Sequence, residues 1–138
     1  VHHIIYLSRA TAPFTDAQLE NLLLVARSRN AELDVSGLLL YAEAQFLQVL
    51  EGEEQAIRAL YEIIKEDPRH RDIVTYADKP IKQRAFASWA MAFHAPSLPQ
   101  LAEVTGYLTP AAWTVDHALL GPADAQLLEL LRSFVTPA

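Results

Sequence analysis

Three residues of this chain carry hydrogen-bonding side chains where periodicity asks for hydrocarbon. Gln48 stands in FLQVLEG (46–52) between Phe46 and Leu50, and strict alternation puts all three on one side of a strand. Tyr6 follows Ile4 along one face of HHIIYLS (2–8). Asn30 continues the Leu19, Leu23, Ala26 stripe of a helical segment, so it points at whatever that helix covers. A buried primary amide without partners costs roughly 1–3 kcal/mol, so these groups need company. Two carboxamides and a phenol offer donors and acceptors together, a set that suits a buried, flat heterocyclic amide. Each residue also has a plainer reading: a core tyrosine with its hydroxyl at the surface, an asparagine closing a helix, an edge-strand glutamine facing solvent.

The elements that must position these groups follow from pattern. HHIIYLS is a strand with His2, Ile4, Tyr6 and Ser8 on one face. TDAQ (15–18) has capping-box spacing, and the apolar positions Leu19, Leu22, Leu23 and Ala26 after it predict a helix from about 16 to 29. VSGLLLYAEAQFLQVLEG (35–52) reads as two strands joined tightly at Ala42 to Ala44. EEQAIRALYEIIKEDP (53–68) sets Ile57, Leu60, Tyr61 and Ile64 on one stripe, begins with acidic residues and stops at Pro68. DIVTYAD (72–78) and ASWAMAFH (87–94) are two further strands around the turn-prone KPIKQRAF. The order predicts an α+β class: a ferredoxin-like βαββαββ sandwich with an antiparallel-rich sheet and both helices on one face, because each βαβ crossover is right-handed. In such a fold strands one and three and the end of helix one converge on one spot.

Residues 1–95 are expected to form this domain. Residues 96–138, proline-punctuated and ending in the amphipathic PADAQLLELLRSFV, form a C-terminal helical extension that would cover the sheet's other face through Leu127, Leu128, Leu131 and Phe134. With 138 residues, 51% of them hydrophobic, one domain with a real core is expected. A net charge of −6 argues against nucleic-acid or anionic-membrane partners, and no apolar run approaches the roughly 20 residues a spanning helix needs. No secretory signal opens the sequence, so a cytoplasmic location is the expectation. Cysteine is absent, which excludes disulfides, thiolate nucleophiles and thioether adducts to a cofactor. His2 and His3 are adjacent and His70, His94 and His117 scattered, without the i, i+4 pairing of a zinc site, so no metal is expected.

Tyr6 in IIYLS, Asn30 in ARSRN, SGLLLY (36–41), FLQVLEG, DPRH (67–70) and RAFASWAMAF (84–93), in this order and at these separations, resemble the BLUF family, the blue-light sensors that use FAD. The resemblance covers about residues 2 to 95. It implies that an isoalloxazine ring inserts between the two helices against the sheet. Asn30 would hold the pyrimidine side near C4=O and N3–H, and Gln48 would bridge Tyr6 to N5 and O4. Arg29 would lie beside C2=O, where a cation stabilises negative charge; its alternative is a solvated helix-end arginine. Asp67, Arg69 and His70 would lie near the ribityl or pyrimidine end. Trp89 and Met91 match the family's switch strand and, with Phe93, would share one strand face; Met91 is favoured as the neighbour of Gln48, and plain core packing is the alternative.

By the same resemblance, light would draw an electron and a proton from Tyr6, Gln48 would relay the proton and then rearrange by rotation or tautomerisation, and the absorption would shift to the red. This cycle needs no thiol. Neither a G-x-G-x-x-G nor a P-loop can be built from Gly37, Gly52, Gly106 and Gly121, so FMN or riboflavin is expected to replace FAD. The chain would be a sensor without enzymatic output, since 138 residues leave no room for an attached cyclase or phosphodiesterase. Its signal would reach a downstream protein partner or a second copy through the last strand and residues 96–138, with Trp113 and Phe134 as anchors. A flavin-free ferredoxin-like interaction module is the alternative. A flavin redox enzyme is disfavoured because no substrate acid or base is evident.

Overall fold

Alternation in the strands and the 3.6-residue period in the helices yield the layered arrangement that the sequence predicts. The computed structural model describes residues 1–96, 98–103, 107 and 125–135. In chain order it contains β1 (His2–Ala10), α1 (Asp16–Leu33), β2 (Ser36–Ala42), β3 (Gln45–Gly52), α2 (Glu54–Lys65), β4 (His70–Pro80) and β5 (Ala92–His94), then a 3-10 turn (Pro99–Leu101) and α3 (Ala125–Val135). The sheet runs β4-β1-β3-β2-β5. β1 is antiparallel to β3 and β4, β2 is antiparallel to β3, and β5 joins β2 in parallel. This is the α+β, ferredoxin-like order with one parallel strand added at an edge. Trp113 lies outside the described residues, as does the side chain of Phe134.

Two apolar layers flank the sheet. On the helix side Ile4, Leu39, Phe46 and Leu50 meet Leu19 and Leu23 of α1 and Ile57 and Leu60 of α2. On the other side Ile5, Leu38, Leu40, Leu47 and Val49 meet Phe86 from the segment before β5 and Leu127 and Leu131 of α3. Each such side chain contributes about 1.5–3 kcal/mol on burial. β3 is consequently buried from Phe46 to Gly52, because both its faces are covered. Among the described residues no helix is long and apolar enough to cross a membrane.

α1 begins as the sequence predicts: Thr15 Oγ1 accepts the Gln18 N–H at 3.1 Å and Gln18 Oε1 accepts the Thr15 N–H at 2.9 Å. It runs past the expected stop at 29 to Leu33 and closes on Asp34 in the left-handed region, φ 55°. No glycine or proline interrupts the segment earlier. Asn30 is therefore interior to the helix and not its cap. Gly37 is fixed by the neighbouring strand, since a Cβ there would lie 2.0 Å from the Val49 carbonyl oxygen.

The last strand is shorter than expected. Only Ala92–His94 pairs with β2, while residues 87–91 leave the ladder. The reason lies in their hydrogen bonds: the Ala90 and Met91 carbonyls accept from side chains of α1, Asn30 Nδ2 at 2.8 Å and Arg27 Nε at 2.9 Å. β4 in turn extends to His70–Pro80, taking in residues expected in the flanking turns.

The hairpin between β2 and β3 turns on two residues with positive φ, Glu43 at 53° and Ala44 at 60°. Type I′ geometry of this kind favours Asn-Gly, and an alanine Cβ in the left-handed region is strained. Ala44→Gly should relieve that strain while keeping the bond from the Ala10 N–H to the residue-44 carbonyl, 2.8 Å long. Against the larger unfolded-state entropy of glycine, a net gain of roughly 0.5–1 kcal/mol is expected. A higher midpoint in urea unfolding checks it; a lower one counts against strain at this turn.

Candidate functional site

Register brings the first two site residues together. Tyr6 of β1 and Gln48 of β3 are direct cross-strand partners, so their side chains leave the same face of the sheet as neighbours. The Tyr6 hydroxyl donates to Gln48 Oε1, and both residues are buried. Gln48 Nε2 lies 3.9 Å from Met91 Sδ, a weak acceptor. β3 lies between β1 and β2, which excludes the edge-strand reading of Gln48.

Above this pair opens a slot between α1 and α2 enclosing about 680 Å³ of atom-free space, part of it open to solvent. Leu22, Val25, Ala26 and Arg29 form one wall and Ile63 and Ile64 the other. Tyr6, Leu39, Phe46 and Gln48 are the floor, and Asp67, Arg69 and His70 line the end. Two wall residues on opposite helices are conspicuously wet for their type: Val25 is 53% and Ile63 61% exposed. Apolar walls over a polar floor suit a flat ring with an amide-like edge.

Asn30 is fully buried one turn beyond Ala26, with Oδ1 lacking any hydrogen-bond partner. Arg29 Nε is likewise buried and unpartnered. Arg29 and Gln48 line the slot, whereas Asn30, buried one turn beyond Ala26, is not among its lining residues. Asn30 has a second task, because its Nδ2 holds the Ala90 carbonyl. Arg27, which sequence pattern did not single out, holds the Met91 carbonyl in the same way. Lying beside the buried stripe of α1 rather than on it, Arg27 gave no periodic signal.

The DPRH residues divide by role. Asp67 and Arg69 form a two-pronged ion pair, with Arg69 Nη2 2.6 Å from Asp67 Oδ2. His70 is spent inside the protein: Nε2 contacts the Ile64 carbonyl at 2.6 Å and Nδ1 the Ser8 hydroxyl at 2.8 Å. A carbonyl only accepts, so Nε2 carries the hydrogen and Nδ1 accepts from Ser8. His70 therefore presents its ring to the slot rather than a free N–H. Met91 and Trp89 are separated: Met91 packs in the helix-side core, Trp89 against the opposite one. The expectation that they share a strand face is corrected, because neither residue is in the strand. Among the described residues no group of three histidine, aspartate or glutamate side chains could hold a metal.

Electrostatics sharpen the role of Tyr6. Burial, with Tyr61 adding to it, raises its phenol pKa well above the ordinary value, and the Arg29 charge only partly opposes this. The Tyr61 ring stacks on Tyr6 with centroids 5.1 Å apart. Asp67 moves the other way, held below the usual carboxylate range chiefly by its bonds to Arg69. Tyr6 is thus neutral at ordinary pH, and any electron taken from it must be followed by its proton.

The sequence model of a family described as sensors of blue-light using FAD matches residues 1–92. The beta subunit of photoactivated adenylate cyclase from Euglena longa is 42% identical over 87 residues, which is 62% of this chain and 10% of that protein. This chain thus spans about a tenth of the length of that curated relative. Among solved structures, the dark state of the BLUF protein BlrB aligns with a TM-score of 0.69 at 28% identity, covering 97% of this chain and 96% of that one. Klebsiella pneumoniae BlrP1 with FMN and cyclic diGMP aligns at 0.74 and 32% identity, covering 96% of this chain and 34% of that one.

The state of Tyr6 has a consequence for stability. In the unfolded chain tyrosine ionises near pH 10, while in the fold the raised pKa keeps Tyr6 protonated. The unfolded state then releases a proton that the native state retains, so stability falls as pH climbs above about 10. Urea unfolding at rising pH should show this loss in the parent chain and a smaller one in Tyr6→Phe. Equal slopes would mean that the phenol is not held protonated.

Proposed function

The chain belongs to the BLUF family of blue-light sensors that use FAD, and from that premise we propose that it binds FAD without a covalent bond in the slot between α1 and α2 and senses light through Tyr6 and Gln48. The observation that carries this reading is the buried hydrogen bond from Tyr6 to Gln48 on the slot floor, with the Gln48 amide N–H turned to a thioether. Asn30 Oδ1 and Arg29 Nε would hold the pyrimidine edge, and Val25 and Ile63 would cover the ring faces. Asp67 and Arg69, already paired, would flank the ribityl end. Bound flavin, excited by blue light, supplies the oxidant and a proton acceptor at its ring edge.

The rest is done by this chain's own residues. Tyr6 gives up an electron, its phenol becomes strongly acidic, and the proton leaves along the bond to Gln48. Both return to Tyr6, so no net oxidation remains. What persists is the rearranged amide of Gln48, by rotation or tautomerisation, which exchanges its weak contact with Met91 for another. Met91 is compliant enough to follow. Its backbone carbonyl, and that of Ala90, are tied to Arg27 and Asn30, so a change at Gln48 reaches α1 and β5 together.

The signal would leave through this segment and through residues 96–138, which we assign as an extension packed on the flavin domain of residues 1–95, toward a protein partner or a second copy. α3 supports the assignment by burying Leu127 and Leu131 against the sheet and by bonding Gln126 to Lys79 of β4.

Absorption spectra before and after blue illumination test the reading. The chain loaded with FAD should show a reversible red shift. Tyr6→Phe should keep the flavin and lose the shift; a normal shift in this variant would remove Tyr6 as the donor. Gln48→Leu should keep its colour and lose the shift, and it should be less stable by about 1–3 kcal/mol, because the Tyr6 hydroxyl is left buried without an acceptor. A chain that stays colourless with FAD would favour an interaction module instead.

FMN in place of FAD should give the same spectral shift, since among the described residues no glycine-rich loop cradles a diphosphate. A large loss of binding on removing the AMP portion would show a site for the tail.

A further inference from the structure

Gln48 and Glu51 belong to one strand but face opposite sides of it, and each touches the crossover of residues 81–91 that joins β4 to β5. Glu51 is fully buried. Its Oε2 accepts the Ala85 N–H at 2.7 Å, and its Oε1 accepts the Phe86 N–H at 2.9 Å and the Ser36 hydroxyl at 2.9 Å. Arg84, one residue earlier, donates to the Asp34 carbonyl at 2.8 Å and to Ser36 Oγ at 3.3 Å. Phe86 is sealed into the core beneath the sheet. From there the Trp89 N–H returns to the Phe86 carbonyl at 2.9 Å, and the Trp89 carbonyl accepts the Gly37 N–H at 3.2 Å. Two residues later the chain delivers Met91 to Gln48.

We infer that Glu51 is a positioning residue for the light response: by gripping the backbone N–H groups of Ala85 and Phe86 it fixes the crossover that sets Met91 against Gln48. This rests on the flavin-sensor reading. Two backbone donors and a hydroxyl converge on one carboxylate, and they offset the cost of burying its charge. A carboxamide cannot replace it, because its single oxygen leaves an N–H facing an N–H. The crossover is thus tied at both ends, to the back of β3 through Glu51 and to α1 through Arg27 and Asn30.

The same geometry makes the grip sensitive to acid. Burial raises the Glu51 pKa, while the bonds from Ala85, Phe86 and Ser36 and the charge of Arg84 oppose the rise. The other ionisable groups around it are His3, its cross-strand partner on β1, Lys79, the partner of His3 on β4, and Asp34, reached through Arg84. As pH falls, protonation places an O–H where an N–H now donates, and one of the two backbone bonds is lost.

The test uses the full chain loaded with FAD. Blue light should produce the red shift; its absence would overturn the flavin-sensor reading and the inference with it. Given the shift, its dark recovery rate, followed as pH is lowered through the range in which the chain stays folded, should change through one titration by about fivefold, the worth of one buried hydrogen bond. Ser36→Ala, which removes a donor to the charged form, should move the midpoint to higher pH. Glu51→Gln should keep the red shift, flatten the profile and speed hydrogen exchange at Ala85 and Phe86. Should Glu51→Gln not fold, the Ser36→Ala midpoint decides. A flat profile in the parent chain, or a midpoint that Ser36→Ala leaves in place, would overturn the role of Glu51 while the light response itself stands.

Discussion

The hydrogen bond from Tyr6 to Gln48 is the interaction on which the rest of the site depends, and strand register creates it. Tyr6 and Gln48 face each other because β1 and β3 pair with His2 opposite Gly52 and Arg9 opposite Gln45. A slip of β3 by one residue would send Gln48 through to the opposite layer, beside Ile5 and Leu38, and leave Tyr6 without it. The apolar residues on either side of Gln48 prevent that slip, since Phe46 and Leu50 would move with it into the wrong core. The polar contact is thus held by hydrophobic burial several residues to either side.

Desolvation then gives the contact its chemical character. The same burial that raises the Tyr6 pKa keeps the phenol neutral, and Gln48 Nε2 faces the weak acceptor Met91 Sδ. A neutral donor joined to a poorly satisfied amide is a pair that can rearrange at low cost, whereas fully satisfied networks are rigid. The neighbouring groups are closed off by contrast. Asp67 holds Arg69, and His70 spans Ser8 and Ile64.

One covalent path between the two faces of the sheet is the crossover. Residues 81–91 leave β4, pass beneath the sheet with Phe86 in the lower core, and return at Met91 in the upper one. Their backbone groups are met by Glu51, Gly37, Asn30 and Arg27, which belong to three different elements. Bonded in this way, the segment would carry the change proposed at Gln48 toward the edge of the fold.

Local rules were enough for much of this architecture. Alternation placed Tyr6 and Gln48 on inward faces, the helical period placed Asn30 on the buried stripe, and Thr15 with Gln18 marked the start of α1, all within windows of a few residues. The order of the elements then implied the sheet, because right-handed crossovers leave few alternatives. The tertiary structure alone decided the end of α1 at Asp34, the shortening of the last strand to Ala92–His94, the parting of Trp89 from Met91, and the roles of Arg27 and Glu51. In the crossover the backbone bonds to side chains distant in the sequence, such as Asn30 and Glu51. Periodicity reports which way a side chain faces, and it carries no information about which remote carbonyl or N–H that side chain will meet.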